Sequence, residues 1–390
     1  MRKEAWLSDA RSLASFPERT ERLNSIDIPL AVVTVVMLAF GAVMVYSASS
    51  YNAEMYYGGR YFFLFKQLAG IGGGIAAMVV MTIVDYRRLH RLRFVVLGIS
   101  ALLLGLVLIP GIGMENYGAR RWLDLGFITL QSSEIAKVGF VIYAAAYMAK
   151  NHEKMTTVRG WLPLAAVGGA LCALIMLEPS MSVTMCLALV MMTMLVMGGM
   201  RLPHLLLILL PLVAAAVVLI LVEPYRFSRL MAFLDPWSSP LEEGYQLLQS
   251  YYGLGAGGLF GVGLFNSRQK YLFLPFAESD FIFSVIGEEL GLIGCTAVMC
   301  AFCFMIYRLV RIAKNAADRF GCYLSGGMAA LIGIQVLINI AVVCGCIPPT
   351  GIPLPFVSSG SSALVVFCGG IGVCQSVRIR THVSVRALLR

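Results

Sequence analysis

Asp280 stands at the head of Phe281-Ile282-Phe283-Ser284-Val285-Ile286-Gly287, the start of a long apolar run. A carboxylate at a helix start is favoured by the helix dipole and held rigidly, and so placed it can take a proton from a hydroxyl. The plainer alternative is a helix-start acid with no further task. Two groups of cations accompany it. Arg120 and Arg121 precede Trp122, and Arg268 and Lys270 lie in Ser267-Arg268-Gln269-Lys270. The planar fork of arginine and the point charge of lysine both suit phosphate oxygens. A third group is Glu134, Lys137 and Glu178. Glu134 and Lys137 are three residues apart and share a helical face; Glu178 closes an apolar run. Lys137 is expected to be held by one or both carboxylates beside a cavity leading to Asp280, the alternative being that it snorkels to the surface.

The elements that position these groups are set by composition. The 390 residues are 59% hydrophobic and 13% charged, with mean hydropathy +0.82, against about 45–50% apolar and about 25% charged in soluble domains. A soluble enzyme, a disordered chain and a disulfide scaffold are excluded. Apolar runs near 28–48, 64–84, 94–109, 135–149, 161–177, 181–199, 204–222, 281–306, 322–343 and 361–377 predict an all-α polytopic membrane protein of about ten transmembrane helices. The first run is longer than a signal-peptide core and reads as an uncleaved anchor, despite Ser47-Ala48-Ser49.

With both termini in the cytoplasm, 21 of the 30 Lys and Arg residues fall on that side, so the orientation is N-in and C-in. The net charge of +9 therefore records membrane orientation, and no nucleic-acid partner is expected. A cytoplasmic tail over 1–27 leads into a membrane domain over 28–377 and a second tail over 378–390. External loops span 110–134 and 223–280, the latter a large loop between helices 7 and 8. His90, His152, His204 and His382 all fall at cytoplasmic ends, so an external base has to be a carboxylate. The ten cysteines lie almost entirely within apolar runs, where they pack as small hydrophobes. Gly253-x-Gly255-x-x-Gly258 matches a dinucleotide fingerprint without its βαβ context and reads as close packing or a bend. Ser132 or Ser133 is expected to cap the helix that carries Glu134. Glu288 and Glu289, about two turns beyond Asp280, lie at a depth where ionisable groups are functional or paired.

These motifs resemble the SEDS family of bacterial shape, elongation, division and sporulation proteins. The resemblance runs over about residues 27–377. It rests on Val45-Tyr46-Ser47-Ala48-Ser49, Asp85-Tyr86-Arg87-Arg88-Leu89, Gly118-Ala119-Arg120-Arg121-Trp122, Phe233-Leu234-Asp235-Pro236-Trp237, Asp280-Phe281-Ile282-Phe283 and Gly287-Glu288-Glu289-Leu290-Gly291. The Arg-Arg-Trp and Asp-Pro-Trp forms look more like the division and sporulation members than the elongation member. The resemblance implies an inverting peptidoglycan glycosyltransferase that polymerises lipid II outside the cytoplasmic membrane, at a division septum or forespore. It also implies a class B penicillin-binding transpeptidase as partner, alongside other division or sporulation membrane proteins. By that resemblance Asp280 deprotonates the acceptor 4-hydroxyl, while a role for a divalent cation such as magnesium stays open.

The chain departs from the family pattern in places. Gln131-Ser132-Ser133-Glu134 replaces a Gln-Pro-Ser-Glu, Glu178-Pro179-Ser180 lacks a customary Asp, and Glu278 and Ser359 stand in altered motifs. Two rival functions remain at this stage. One is a flippase for the same lipid-linked precursor; the other is a non-catalytic scaffold for the transpeptidase.

Overall fold

The computed structural model describes residues 25–116, 119–124, 129–222 and 224–381. Most of both predicted tails, Gly118 and Glu223 lie outside the described residues. Helices α1 (Ile28–Tyr57), α2 (Phe62–Ile83), α3 (Arg87–Val107), α4 (Ser132–Lys150), α5 (Val158–Leu177), α6 (Met181–Met197) and α7 (Leu202–Val222) make the first part of the bundle. Helices α8 (Pro224–Leu234) and α9 (Tyr245–Gly257) follow, then α10 (Ile282–Lys314), α11 (Arg319–Val343) and α12 (Ser361–Ile379). Each of the ten expected spans corresponds to one of these helices, and α8 and α9 are additional. Among the described residues seven helices, α1, α2, α3, α5, α10, α11 and α12, are long and apolar enough to cross a membrane by themselves. The charged Glu134 and Lys137 break the apolar run of the continuous helix α4, and α6 is a 17-residue apolar helix.

Both predicted external loops contain regular structure. Residues 110–134 form a three-stranded antiparallel sheet of β1 (Gly113–Asn116), β2 (Ala119–Asp124) and β3 (Thr129–Gln131), which runs directly into α4. The expected cap at Ser132 or Ser133 is not there: α4 begins at Ser132, with Gln131 in the cap position and no capping side chain. Strand β3 delivers the chain in extended form, so the helix starts where the sheet stops. Residues 224–280 hold α8 and α9, and α9 packs against α10.

Helix α4 is buried on nearly every side, and α11 packs against both α4 and α10. At the end opposite Asp280, Asp27 ties three helices together. Its Oδ1 accepts from Leu30 N at 3.0 Å, capping α1. Its carboxylate also accepts from Arg308 Nε and Nη2 at 3.0 and 2.6 Å, and its main chain exchanges hydrogen bonds with the Gln375 amide on α12.

Helix α10 is 33 residues long, about 50 Å at about 1.5 Å per residue, and it does not run straight through. Gly291 breaks it with φ 66° and ψ −165°, a backbone region essentially reserved for glycine. The groups freed by the break are paired by the segment after α9. Val262 N and Gly263 N donate to the Glu288 and Glu289 carbonyls at 2.9 and 3.0 Å, and Leu292 N and Ile293 N donate to the Gly258 and Leu259 carbonyls at 2.9 and 3.2 Å. Of the glycines that mimic a dinucleotide fingerprint, Gly253 packs close to Ser284 and Gly258 takes positive φ and accepts from Leu292 N, while Gly255 faces open space; the tightest approach to α10 is made by Gly257 and Gly261.

A Cβ at position 291 would overlap Leu259 O and Gly261 N. Gly291→Ala should therefore lose about 1–3 kcal/mol from its backbone conformation alone, and more from the overlap. A markedly lower Tm of the purified protein in detergent checks this; an unchanged Tm would mean that the break tolerates a side chain.

Candidate active site

Asp280 lies just before α10, whose cap position is Phe281, so it precedes the helix rather than opening it. Its main chain is pinned from two sides. Asn339 Nδ2, on α11, donates at 2.8 Å to both the Asp280 and Ile352 carbonyls. The segment leading to α12 lines up beside it: Ser359 N donates to the Glu278 carbonyl at 2.9 Å, and Ser358 Oγ donates to the Ser279 carbonyl at 2.5 Å. Gly351 faces the carboxylate, where a side chain would place its first carbon 3.2 Å from Asp280 Oδ2.

Asp280 is partly exposed at its surface yet surrounded by protein atoms. That burial pushes its carboxyl up to about 7; the Glu278 charge adds to the rise, while the Arg121 and Arg229 charges oppose it. Glu278 is itself raised, first by burial, with a hydrogen bond from Asn52 acting the other way. Glu178, just past α5, is also pushed up to about 7 by burial, against a hydrogen bond from Ser132 and the charge of Arg121. Arg121 is thus the cation common to two carboxylates that titrate near neutrality.

The neighbouring arginines part company because successive residues of a strand face opposite sides. Arg120 pairs across the sheet with Glu115, at 2.9 Å from Nη2 to Oε2, at the rim of a cavity of about 300 Å³. Arg121 turns the other way and donates to the Glu178 and Pro179 carbonyls.

Four expected site residues, Glu134, Lys137, Glu178 and Lys270, are buried and held by partners within the protein. Lys137 is fully buried; its Nζ donates to Glu134 Oε1 at 2.8 Å and Gln335 Oε1 at 2.5 Å, and stands 5.6 Å from the centre of the Phe367 ring. Glu178 does not touch it, for its Oε1 accepts from Ser132 Oγ at 3.0 Å. Gln335 carries the connection onward by donating to the Pro353 carbonyl at 3.1 Å. Glu134 and Lys137 therefore brace the segment beside Asp280. Lys270 is buried as well, its Nζ 3.4 Å from Glu289 Oε1 and donating to the Phe265 carbonyl.

Glu288 and Glu289 are paired, one of the two alternatives their depth allowed. Glu288 accepts from Ser267 Oγ and from the Arg268 and Gln269 amides, and Glu289 accepts from Ser47 Oγ and Ser267 N. Arg268 projects from this clamp with its side chain exposed. Arg229 is the cation that the sequence reading passed over. The signal was present, since a basic residue on the outer side runs against the charge pattern as Arg121 does. Its Nε lies 3.7 Å from Glu243 Oε2.

The family model for the cell cycle proteins FtsW, RodA and SpoVE matches residues 29–383. The chain belongs to that family. Stage V sporulation protein E of Bacillus subtilis is 37% identical over 359 residues, covering 92% of this chain and 98% of that protein. The probable peptidoglycan glycosyltransferase FtsW of Trichlorobacter lovleyi is 39% identical, covering 91% and 94%. Among solved structures, one from work on how a peptidoglycan synthase complex coordinates polymerization and crosslinking aligns with TM-score 0.76 at 27% identity, over 91% of this chain and 98% of that one. The rod shape determining protein RodA of Thermus thermophilus aligns with TM-score 0.68 at 25% identity, over 92% and 99%. The family match thus extends over most of the chain, from α1 to just past α12.

Two predictions follow from this geometry. Lys137→Met strands Glu134 in the bundle and should cost about 3–5 kcal/mol. Lys137→Met with Glu134→Gln should recover a large part, whereas adding Glu178→Gln should not; a double-mutant cycle on Tm measures both. Asp280 titrates above the ordinary aspartate range, so folding favours its protonated form and its ionisation opposes stability as pH rises toward about 7. Asp280→Asn should therefore be at least as stable as the parent at neutral pH. A lower Tm for that variant would contradict the assigned environment.

Proposed function

We propose that this chain is a peptidoglycan glycosyltransferase that polymerises lipid II at the outer face of the bacterial cytoplasmic membrane. The observation that carries the reading is the placement of Asp280: a carboxylate just before α10, its neighbouring main chain pinned by Asn339, Ser358 and Ser359, with the Arg121 and Arg229 charges acting on it. The names of its FtsW relatives support the same activity.

In the reaction Asp280 takes the proton of the acceptor sugar's 4-hydroxyl as that oxygen attacks the donor's anomeric carbon. The carbon–oxygen bond to the pyrophosphate breaks on the opposite face, which inverts the anomeric centre. A general base works best with a pKa near the working pH, the range to which burial brings Asp280. The leaving pyrophosphate carries charge away without needing a proton, and Arg121 and Arg229 meet it with fixed positive charge. Arg120 and Arg268, at more exposed positions, guide the lipid-linked substrate inward. Magnesium is commonly held by one or two carboxylates plus substrate phosphates. Among the described residues no group of three or more His, Cys, Asp or Glu side chains gathers to hold such an ion, and Asp280 is assigned as the base, so no residue is given to magnesium.

A class B penicillin-binding transpeptidase is the proposed partner, and a division septum or forespore membrane the proposed site of action. The flippase reading is weaker. It needs polar groups available to a headgroup through the membrane depth, and those deep in the bundle, Glu134, Lys137, Glu288 and Glu289, are buried and each is hydrogen-bonded to neighbouring side chains or main chain.

Purified protein with its transpeptidase and fluorescent lipid II tests the proposal. Asp280→Asn should lower the polymerisation rate by about 10²–10⁴-fold; a well-folded variant that polymerises normally would remove the assigned base. The parent's rate should rise with pH through about 7, following ionisation of Asp280. Glu278→Gln should move that limb to lower pH, and Arg229→Gln should move it to higher pH. A limb that shifts with neither variant would separate the titration from Asp280.

A further inference from the structure

The end of the bundle opposite Asp280 holds a second cavity, of about 570 Å³, that the proposed reaction does not use. It lies where α3 and α11 begin and α4 ends. Its lining includes Arg87, His90, Arg91, Lys150, Asp318 and Arg319, so four permanent cations face a single carboxylate. That carboxylate is already engaged: Asp318 Oδ1 accepts from Gly321 N at 2.6 Å and caps α11, and Oδ2 accepts from Tyr86 OH at 2.7 Å and Arg87 Nε at 3.5 Å. Arg91, Lys150 and Arg319 have no carboxylate within 4 Å among the described residues, and all three are exposed. The starts of α3 and α11 add the partial positive charge of two helix N-termini.

Such a gathering repels itself unless an anion enters it. The volume lies within the range of about 300–1,000 Å³ that small-ligand sites occupy, and basic pockets between spans at the membrane surface suit phosphate headgroups. Arginine favours phosphate by its bidentate geometry, and Arg87 is oriented by Asp318 in advance.

We propose that this cavity binds a phosphate-bearing anion, seated among Arg87, Arg91, Lys150 and Arg319. An anionic phospholipid headgroup and a soluble phosphate present the same chemistry, and the test separates them. The full-length protein is placed in phosphatidylcholine nanodiscs with graded phosphatidylglycerol, and retained lipid is counted by native mass spectrometry. In a second arm, pyrophosphate is titrated onto the protein in discs of phosphatidylcholine alone. Each arm compares the parent with Arg91→Gln/Arg319→Gln and with Arg311→Gln/Lys314→Gln, which removes equal charge at the same end outside the cavity.

All four substituted residues are exposed, so both variants should keep the parental Tm without probe, which is measured first. The cavity variant should bind the effective probe about tenfold or more weakly, with the control pair within about threefold of the parent. Cavity-dependent binding of phosphatidylglycerol alone makes the ligand a headgroup. Cavity-dependent binding of pyrophosphate makes it a soluble phosphate. Equal loss in both variants, or binding of neither probe by the parent, overturns the proposal.

Discussion

A lipid environment tolerates no unpaired backbone N–H or C=O, and α10 meets that constraint at a point where it stops being helical. The break at Gly291 frees carbonyls on one side and amides on the other, and the segment after α9 supplies a partner for each. Glu288 and Glu289, next to the break, turn their side chains onto residues 267–270. The long connection that ends at Asp280 is therefore fastened to the same helix it leads into. Asp280 comes between that fastening and the loop before α12, so its main chain has little freedom. A base has to be held this firmly if its carboxylate is to meet a hydroxyl at hydrogen-bonding distance.

Electrostatics near Asp280 follow from how β2 presents its two arginines. Strand alternation sends Arg120 toward Glu115 and turns Arg121 inward, where its charge reaches both Glu178 and Asp280. Arg121 is steadied through the carbonyls of Glu178 and Pro179, at the end of α5. These contacts consume hydrogen-bonding capacity but cancel no net charge. Its charge acts on both Glu178 and Asp280, whereas Lys270 faces Glu289 in a buried pair.

Much of this was legible in the sequence, for identifiable reasons. Hydropathy marks a span whatever its neighbours are, so the ten helices could be placed from residue type alone. Asp280 stood out because a carboxylate at the start of a long apolar run is held rigidly where a helix begins, and Glu134 with Lys137 because helical spacing is local. What escaped was non-local. Nothing near Lys137 in sequence announces Gln335 on α11, and Glu178 looked as good a partner as Glu134 until the end of α5 was seen to meet Ser132. Lys270 resembled an open phosphate contact because the fold that brings Glu289 over it depends on the break at Gly291. The sheet over 113–131 was hidden by short strands whose pairing carries little periodic signal, and Arg229 by a covering helix that loop length alone does not reveal.

The cleft has to reconcile two opposed demands. A departing pyrophosphate is stabilised by nearby cations, but each cation also stabilises the carboxylate and so weakens it as a base. With Arg121 and Arg229 alone, Asp280 would be an ordinary or depressed carboxyl, ionised throughout the physiological range and a poor acceptor of a hydroxyl proton. Burial is the larger effect and acts the other way, with Glu278 assisting. Burial alone would raise the base further and leave the pyrophosphate unattended. The chemistry needs both at once, which is why the carboxylate sits deep within a cleft whose cations come from separate elements, β2 and α8.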